Sequence, residues 1–180
     1  MRQDDRFHRL EIDAEARHVL LEGPILRSRV EQNCVRRAVM SDGDQAGQPV
    51  RDQKEMAGHS VRAAYLLSGM IDVARETGDR GLRAACRRLW DSITTRRMYI
   101  TGGIGALHEG EAFGPDYVLP NMTAYNETCA AIGNDYWNHR LFLLHGEARY
   151  IDVLERTLYN GLLSGVSIDG RKFFYPNPLE

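Results

Sequence analysis

Two parts of this chain follow one plan: a helix-patterned run, a stopping glycine, a very short turn and a second helix-patterned run. In the first part Met56, Ala63, Leu67, Met70/Ile71 and Ala74 recur at steps of three and four from about residue 53 onward. Gly78 is placed to end that helix. Leu82, Ala85/Cys86, Leu89/Trp90 and Ile93 then fall on one face of the next helix. In the second part the pattern runs from about Thr123 to His145, through Tyr125, Cys129, Ile132, Trp137, Leu141 and Leu144, and stops at Gly146. Tyr150, Val153/Leu154, Leu158 and Leu162 follow directly. Gly78 and Gly146 stand 68 residues apart, and Arg88 and Arg156 keep that offset. A connection as short as Thr77-Gly78-Asp79-Arg80 makes neighbouring helices antiparallel. Repeated αα-hairpins predict a helical array such as a toroid or solenoid, and two hairpins cannot close a toroid by themselves.

The remaining segments break this pattern. Residues 1–48 are polar, arginine-rich and without a sustained period, and the loop-like composition of 41–49 predicts a boundary there. A long non-helical segment runs from Tyr99 to Pro120, and loops of that length in a compact domain usually serve function. The tail predicts a small β-hairpin, Val166–Ile168 and Arg171–Tyr175 about Asp169-Gly170. The chain stops soon after that strand with no closing element, which leads us to expect a slice of a longer protein.

Composition narrows the function classes. Hydrophobic residues make up 43% and charged residues 27%, as in globular domains rather than disordered chains. The net charge of −2 gives no electrostatic support to a nucleic-acid or anionic-membrane partner. There is no apolar run long enough for a membrane span and no apolar core of a signal peptide after Met1. Cys34, Cys86 and Cys129 are odd in number and widely spaced, so a reducing, cytoplasmic location is expected.

Several residues could carry chemistry, each with a plainer reading beside it. Thr101-Gly-Gly-Ile-Gly105 lacks the spacing of a nucleotide-binding loop and reads instead as a place where backbone approaches something closely. The long loop carries Glu109, Glu111, Asp116 and the pair Tyr117/Asn121. Glu111 and Glu127 are the best candidates for the paired carboxylates of glycoside hydrolysis. Their plainer reading is a solvated loop glutamate and a glutamate complementing a helix dipole. Glu127 and Cys129 could both ligate a metal such as zinc. Residues i and i+2 on a helix point about 200° apart, so co-ligation requires extended or irregular backbone there. Cys129 could equally be a small buried hydrophobe, His59 a hydrogen-bonded core histidine, and Tyr125, Tyr136 and Trp137 core rather than a sugar platform.

Taken together, the motifs from about Pro49 onward resemble the catalytic domain of glycoside hydrolase family 127, the β-L-arabinofuranosidase family. The resemblance rests on Gly58-His-Ser-Val-Arg-Ala-Ala-Tyr65, Leu89-Trp-Asp-Ser92, Arg97-Met-Tyr-Ile-Thr-Gly-Gly-Ile-Gly105, Gly110-Glu-Ala-Phe113, Leu119-Pro-Asn121, Thr123-Ala-Tyr-Asn-Glu-Thr-Cys129, Leu154-Glu-Arg156 and Tyr159-Asn-Gly161. Residues 1–48 do not match what is expected upstream, so they are left unassigned, open to an out-of-frame or misassigned start. Residues 49–180 are read as a fragment of the catalytic domain.

This resemblance implies an all-α fold, a partial (α/α)6 barrel, ending here in the small β-hairpin. It implies a retaining glycosidase with a zinc-bound cysteine nucleophile and an arabinofuranoside-type substrate. Glu111 would be the acid/base, His59 a sugar contact, and Glu127 and Cys129 two of the zinc ligands. The remaining ligands of the family are two adjacent cysteines, one of them the nucleophile, and these 180 residues contain no such pair. The chain alone is therefore expected to be inactive. The rival readings are a helical interaction or glycan-binding module, and a different α/α-toroid sugar enzyme such as an epimerase. Neither sugar identity nor oligomeric state follows from the sequence.

Overall fold

The computed structural model describes residues 49–180; the Cys34 thiol and the 41–49 boundary fall largely or wholly outside them. Four helices follow in order: α1, Ser60–Thr77; α2, Arg80–Arg96; α3, Thr128–His145; and α4, Ala148–Arg156. Gly78 and Gly146 end α1 and α3 with the same backbone, φ 70° and ψ 15°. A side chain at either glycine would meet open space, so the left-handed conformation alone calls for glycine. Asp79 then caps α2 by accepting from the Leu82 N–H at 3.0 Å, and Arg51 grips both of its oxygens.

The hairpins pack through α1 and α3, the most extensive helix pairing in the fold. These two run side by side in register, with the 68-residue repeat as the offset between facing positions. Arg140 on α3 pairs with Asp72 on α1 at 2.8 Å. The N-caps of the two helices, His59 and Glu127, are separated by the same 68 residues. Gly133 of α3 permits this closeness, since a Cβ there would lie 2.9 Å from that of Ala64. The α2 face anticipated from the sequence is the buried one: Leu82, Ala85, Cys86, Leu89, Trp90 and Ile93 are all below 9% exposure. Burial pushes the Cys86 thiol up to about 12, so it behaves as a small hydrophobe.

A buried polar ladder ties this core to the long loop. Trp90 Nε1 donates to Asn138 Oδ1 at 2.7 Å, and Asn138 Nδ2 donates to Asn134 Oδ1 at 2.9 Å. Asn134 in turn reaches Thr157 Oγ1 and the Gly102 carbonyl. At Thr157 α4 gives way to a π-helical turn, Thr157–Leu162. That turn presses against Thr101-Gly-Gly-Ile-Gly105. A Cβ on Gly102 would sit 2.6 Å from Thr157 Cα, and one on Gly161 would sit 3.1 Å from the Thr101 carbonyl oxygen. Close backbone approach is thus the reason for these glycines.

Two expectations about elements change. Helix α3 begins at Thr128 rather than near Thr123, because Asn126 takes φ 41° and Glu127 is extended at ψ 140°. The tail pairs at one antiparallel bridge, Val166 with Phe173, around a turn at Gly170. No strand is formed among the described residues. The same residues include no helix long and apolar enough to cross a membrane.

Candidate active site

The site forms where three short extended runs lie beside the N-termini of α1 and α3. The Phe113 N–H donates to the Gly58 carbonyl at 2.9 Å, and Leu107 and Ala112 exchange both backbone hydrogen bonds. Tyr125 and Asn126 donate to the carbonyls of Ala106 and Gly105. Inside the 107–112 loop, Gly110 and Glu111 both take left-handed backbone, φ 67° and 49°. A non-glycine residue there is strained, and such strain gathers at functional sites. The loop is held in place at its base by Arg97, 5% exposed, which binds Glu55, Ser92, the Gly114 carbonyl and Asp116.

This arrangement brings His59, Glu111 and Glu127 together, with one donor atom from each lying within 4.8 Å of the others. His59 Nε2 meets Glu111 Oε2 at 2.6 Å. The Tyr125 hydroxyl donates to Glu111 Oε1 at 3.1 Å, and Ser60 Oγ donates to the Glu111 carbonyl at 3.1 Å. Burial, then the Glu111 carboxylate, pushes the Tyr125 phenol up. Its ring packs edge-on against His108 at 4.8 Å and Tyr175 at 6.2 Å.

Glu127 differs from Glu111 in environment. It is 1% exposed, and neither carboxylate oxygen receives a hydrogen bond of proper geometry. The Tyr175 phenol faces it, and this carboxylate pushes that phenol well above its ordinary range. Burying a lone carboxylate costs on the order of several kcal/mol unless a cation or hydrogen bonds compensate it. A metal is one such compensation, so the residues present fit a bound cation. Because Glu127 is extended and Cys129 lies in the first turn, the backbone there is irregular, as co-ligation by i and i+2 requires. Cys129 is half-buried and is not a member of the 4.8 Å cluster. Burial, then Glu127, pushes its thiol up.

Other loop candidates have structural partners or face solvent. Asp116 is paired with Arg96 and Arg97. Glu109 and Tyr117 are exposed, and Asn121 donates to Glu180. Tyr136 is half exposed and Trp137 fully buried. Sequence reasoning missed Tyr125 and Tyr175 as site residues. Tyr125 carried a signal through its place in the Thr123–Cys129 motif. Tyr175 carried none, because it arrives only when the tail docks: Thr128 donates to the Tyr175 and Phe174 carbonyls, and Asn177 donates to the Tyr125 and Asn126 carbonyls. A cavity of about 520 Å³ opens beside this tail, lined by Thr101, Asn126, Asn160, Ser164, Phe174 and Asn177 among others. None of the clustered acids or His59 lines it.

A family model described as the β-L-arabinofuranosidase, GH127 catalytic domain, matches residues 13–180, beginning upstream of the boundary expected at 41–49. The non-reducing end β-L-arabinofuranosidase of Bifidobacterium longum subsp. longum is 47% identical over 136 residues, which are 76% of this chain and 21% of that protein. A solved GH127 β-arabinofuranosidase is 61% identical, with a TM-score of 0.76 over 79% of this chain and 23% of its own. A second solved structure, a GH127 β-L-arabinofuranosidase from Geobacillus stearothermophilus T6, is 51% identical, with a TM-score of 0.74 over 76% of this chain and 22% of its own. The chain thus spans about a fifth of the length of these relatives. The matched motifs, the helical fold and the clustered acids agree, and the chain belongs to glycoside hydrolase family 127, in its β-L-arabinofuranosidase catalytic domain.

Proposed function

We propose that residues 49–180 are one part of a catalytic domain that hydrolyses arabinofuranoside-type glycosides with retention. Glu111 is the acid/base, His59 contacts the sugar, and Glu127 and Cys129 hold zinc. The observation that carries this reading is the Glu111 carboxylate, oriented through both oxygens by His59 and Tyr125 and clustered with the buried Glu127.

Glu111 acts on the exocyclic oxygen of the scissile bond. It transfers a proton to that oxygen as the bond to the anomeric carbon breaks, and the departing alcohol leaves neutral. In the second half-reaction the same carboxylate takes a proton from the attacking water. His59 and Tyr125 fix which face of the carboxylate meets the substrate. Zinc, when bound, keeps coordinated thiols deprotonated at neutral pH. Glu127 supplies buried negative charge to hold it, and Cys129 supplies one sulfur. The nucleophile belongs to the adjacent-cysteine pair that these 180 residues do not contain, so the isolated chain is inactive.

The test begins with the intact mass of the native gene product and its hydrolysis of an aryl β-L-arabinofuranoside. A product several-fold heavier than 20.4 kDa that is active, and that loses turnover on Glu111→Gln and on chelation, supports the reading. A 20.4-kDa product whose sugar chemistry survives both chelation and Cys129→Ala overturns it and favours a toroid epimerase.

A further inference from the structure

We propose that these residues hold a divalent cation in a second way, with His59 and Glu111 joining Glu127 as ligands, so that the ion captures the acid/base. The metal-binding half stands on geometry. Its consequence for activity rests on the reading of Glu111 as the acid/base.

Three observations converge. The donor atoms of His59, Glu111 and Glu127 lie within 4.8 Å of one another. Glu127, at 1% exposure and with neither oxygen in a well-formed hydrogen bond, is aimed into that cluster, with the Tyr175 phenol beside it. The third is the donor chemistry, one imidazole nitrogen and two carboxylates, a set that suits zinc. Donors of a tetrahedral zinc stand about 3.4 Å apart, given bonds of about 2.0–2.2 Å, so the His59–Glu111 pair, now at 2.6 Å, has to open by roughly 0.8 Å while the set as a whole, spread within 4.8 Å, draws around the ion. An ion entering there takes the place of the direct His59–Glu111 contact at 2.6 Å. Cys129, two residues beyond Glu127 in the first turn of α3, stands outside this three-donor cluster.

A carboxylate bound to the ion has no proton to give a leaving oxygen. Metal held this way therefore silences Glu111. Additional thiolates, softer and charged, draw zinc away from imidazole and carboxylate and return Glu111 to acid/base duty. The chain's own ligands thus hold the acid/base in a metal-bound form, and completion of a sulfur-rich site releases it.

The experiment uses the 180-residue chain and Zn²⁺ alone, in competition with a chromogenic chelator at neutral pH. We expect Glu111→Gln and His59→Ala each to weaken zinc at least tenfold, with Glu127→Gln weaker still. Far-UV circular dichroism checks that each variant is folded. X-ray absorption of the zinc-loaded wild-type chain, which needs no variant, is expected to report a first shell of mostly nitrogen and oxygen with at most one sulfur. Unchanged affinity in Glu111→Gln and His59→Ala, alongside loss in Glu127→Gln and Cys129→Ala, overturns the capture while leaving the zinc–thiolate reading in place. Absence of zinc binding by the folded chain, or a sulfur-rich shell, also overturns it.

Discussion

Gly102→Ala and Gly78→Ala separate two reasons for glycine within one molecule. Both positions have left-handed backbone, φ 87° and 70°. An L-residue in that conformation costs roughly 1–2 kcal/mol. At Gly78 nothing lies within 4 Å of an added Cβ, so conformation is the whole effect. At Gly102 the new carbon would lie 2.6 Å from Thr157 Cα and 2.8 Å from Thr157 N, both backbone atoms. Carbon atoms prefer about 3.5–4.0 Å, so the π-helical turn and the loop must part by about 1 Å. Overpacking of this kind adds roughly 1–3 kcal/mol. Separation also stretches the hydrogen bonds that Asn134 and Thr157 make to the Gly102 carbonyl at 3.4 and 3.2 Å. Gly78→Ala should therefore cost about 1–2 kcal/mol and Gly102→Ala about 2–5 kcal/mol. Urea unfolding of the 180-residue chain, followed by circular dichroism, measures both. Equal losses in the two variants would refute the claim that the loop glycines exist for close approach.

Further outcomes follow from other contacts. Trp90→Phe should destabilise by about 1–3 kcal/mol in the same unfolding assay, because it leaves the buried Asn138 oxygen without the indole donor. Arg97→Met should cost about 3 kcal/mol or more and Arg97→Lys should recover little of it, since one ammonium cannot replace a fork shared among Glu55, Ser92, Gly114 and Asp116. Burial raises the Asp135 carboxyl to about 7. The folded state then holds a proton that the unfolded state releases near its ordinary pKa of about 4. Stability should fall as pH rises from about 4 to about 7 and then level, and Asp135→Asn should flatten that slope in thermal melts across the range.

The hairpins were legible because local physics decides them. Apolar residues at helical spacing choose the buried face, and Gly78 and Gly146 stop their helices through backbone freedom that no other residue shares. The 68-residue repeat, the all-helical class and the motifs of glycoside hydrolase family 127 are all present in the one-dimensional order of residues. The start of α3 was misjudged because Tyr125 and the Thr123–Asn126 run continue a helical pattern, while tertiary contacts hold Asn126 and Glu127 out of it. The β-hairpin expected in the tail reduces to one bridge, because beyond it the Phe174 and Tyr175 carbonyls accept from Thr128 and the Asn177 N–H donates to the Tyr125 carbonyl instead.

What the sequence could not settle is how the separate motifs face one another. His59 and Glu127 sit at equivalent places in the two repeats, yet they converge only because α1 and α3 pack side by side in register. Glu111 joins them from an intervening loop, turned inward by two successive left-handed residues and held by Arg97 from another part of the chain. Tyr175 arrives from the far end of the tail. A pattern of residue types encodes which segments form and which faces are buried, since those depend on neighbours in sequence. The distances among His59, Glu111 and Glu127, and the burial of the Glu127 carboxylate against Tyr175, depend on packing between segments far apart in sequence, and only the tertiary structure sets them.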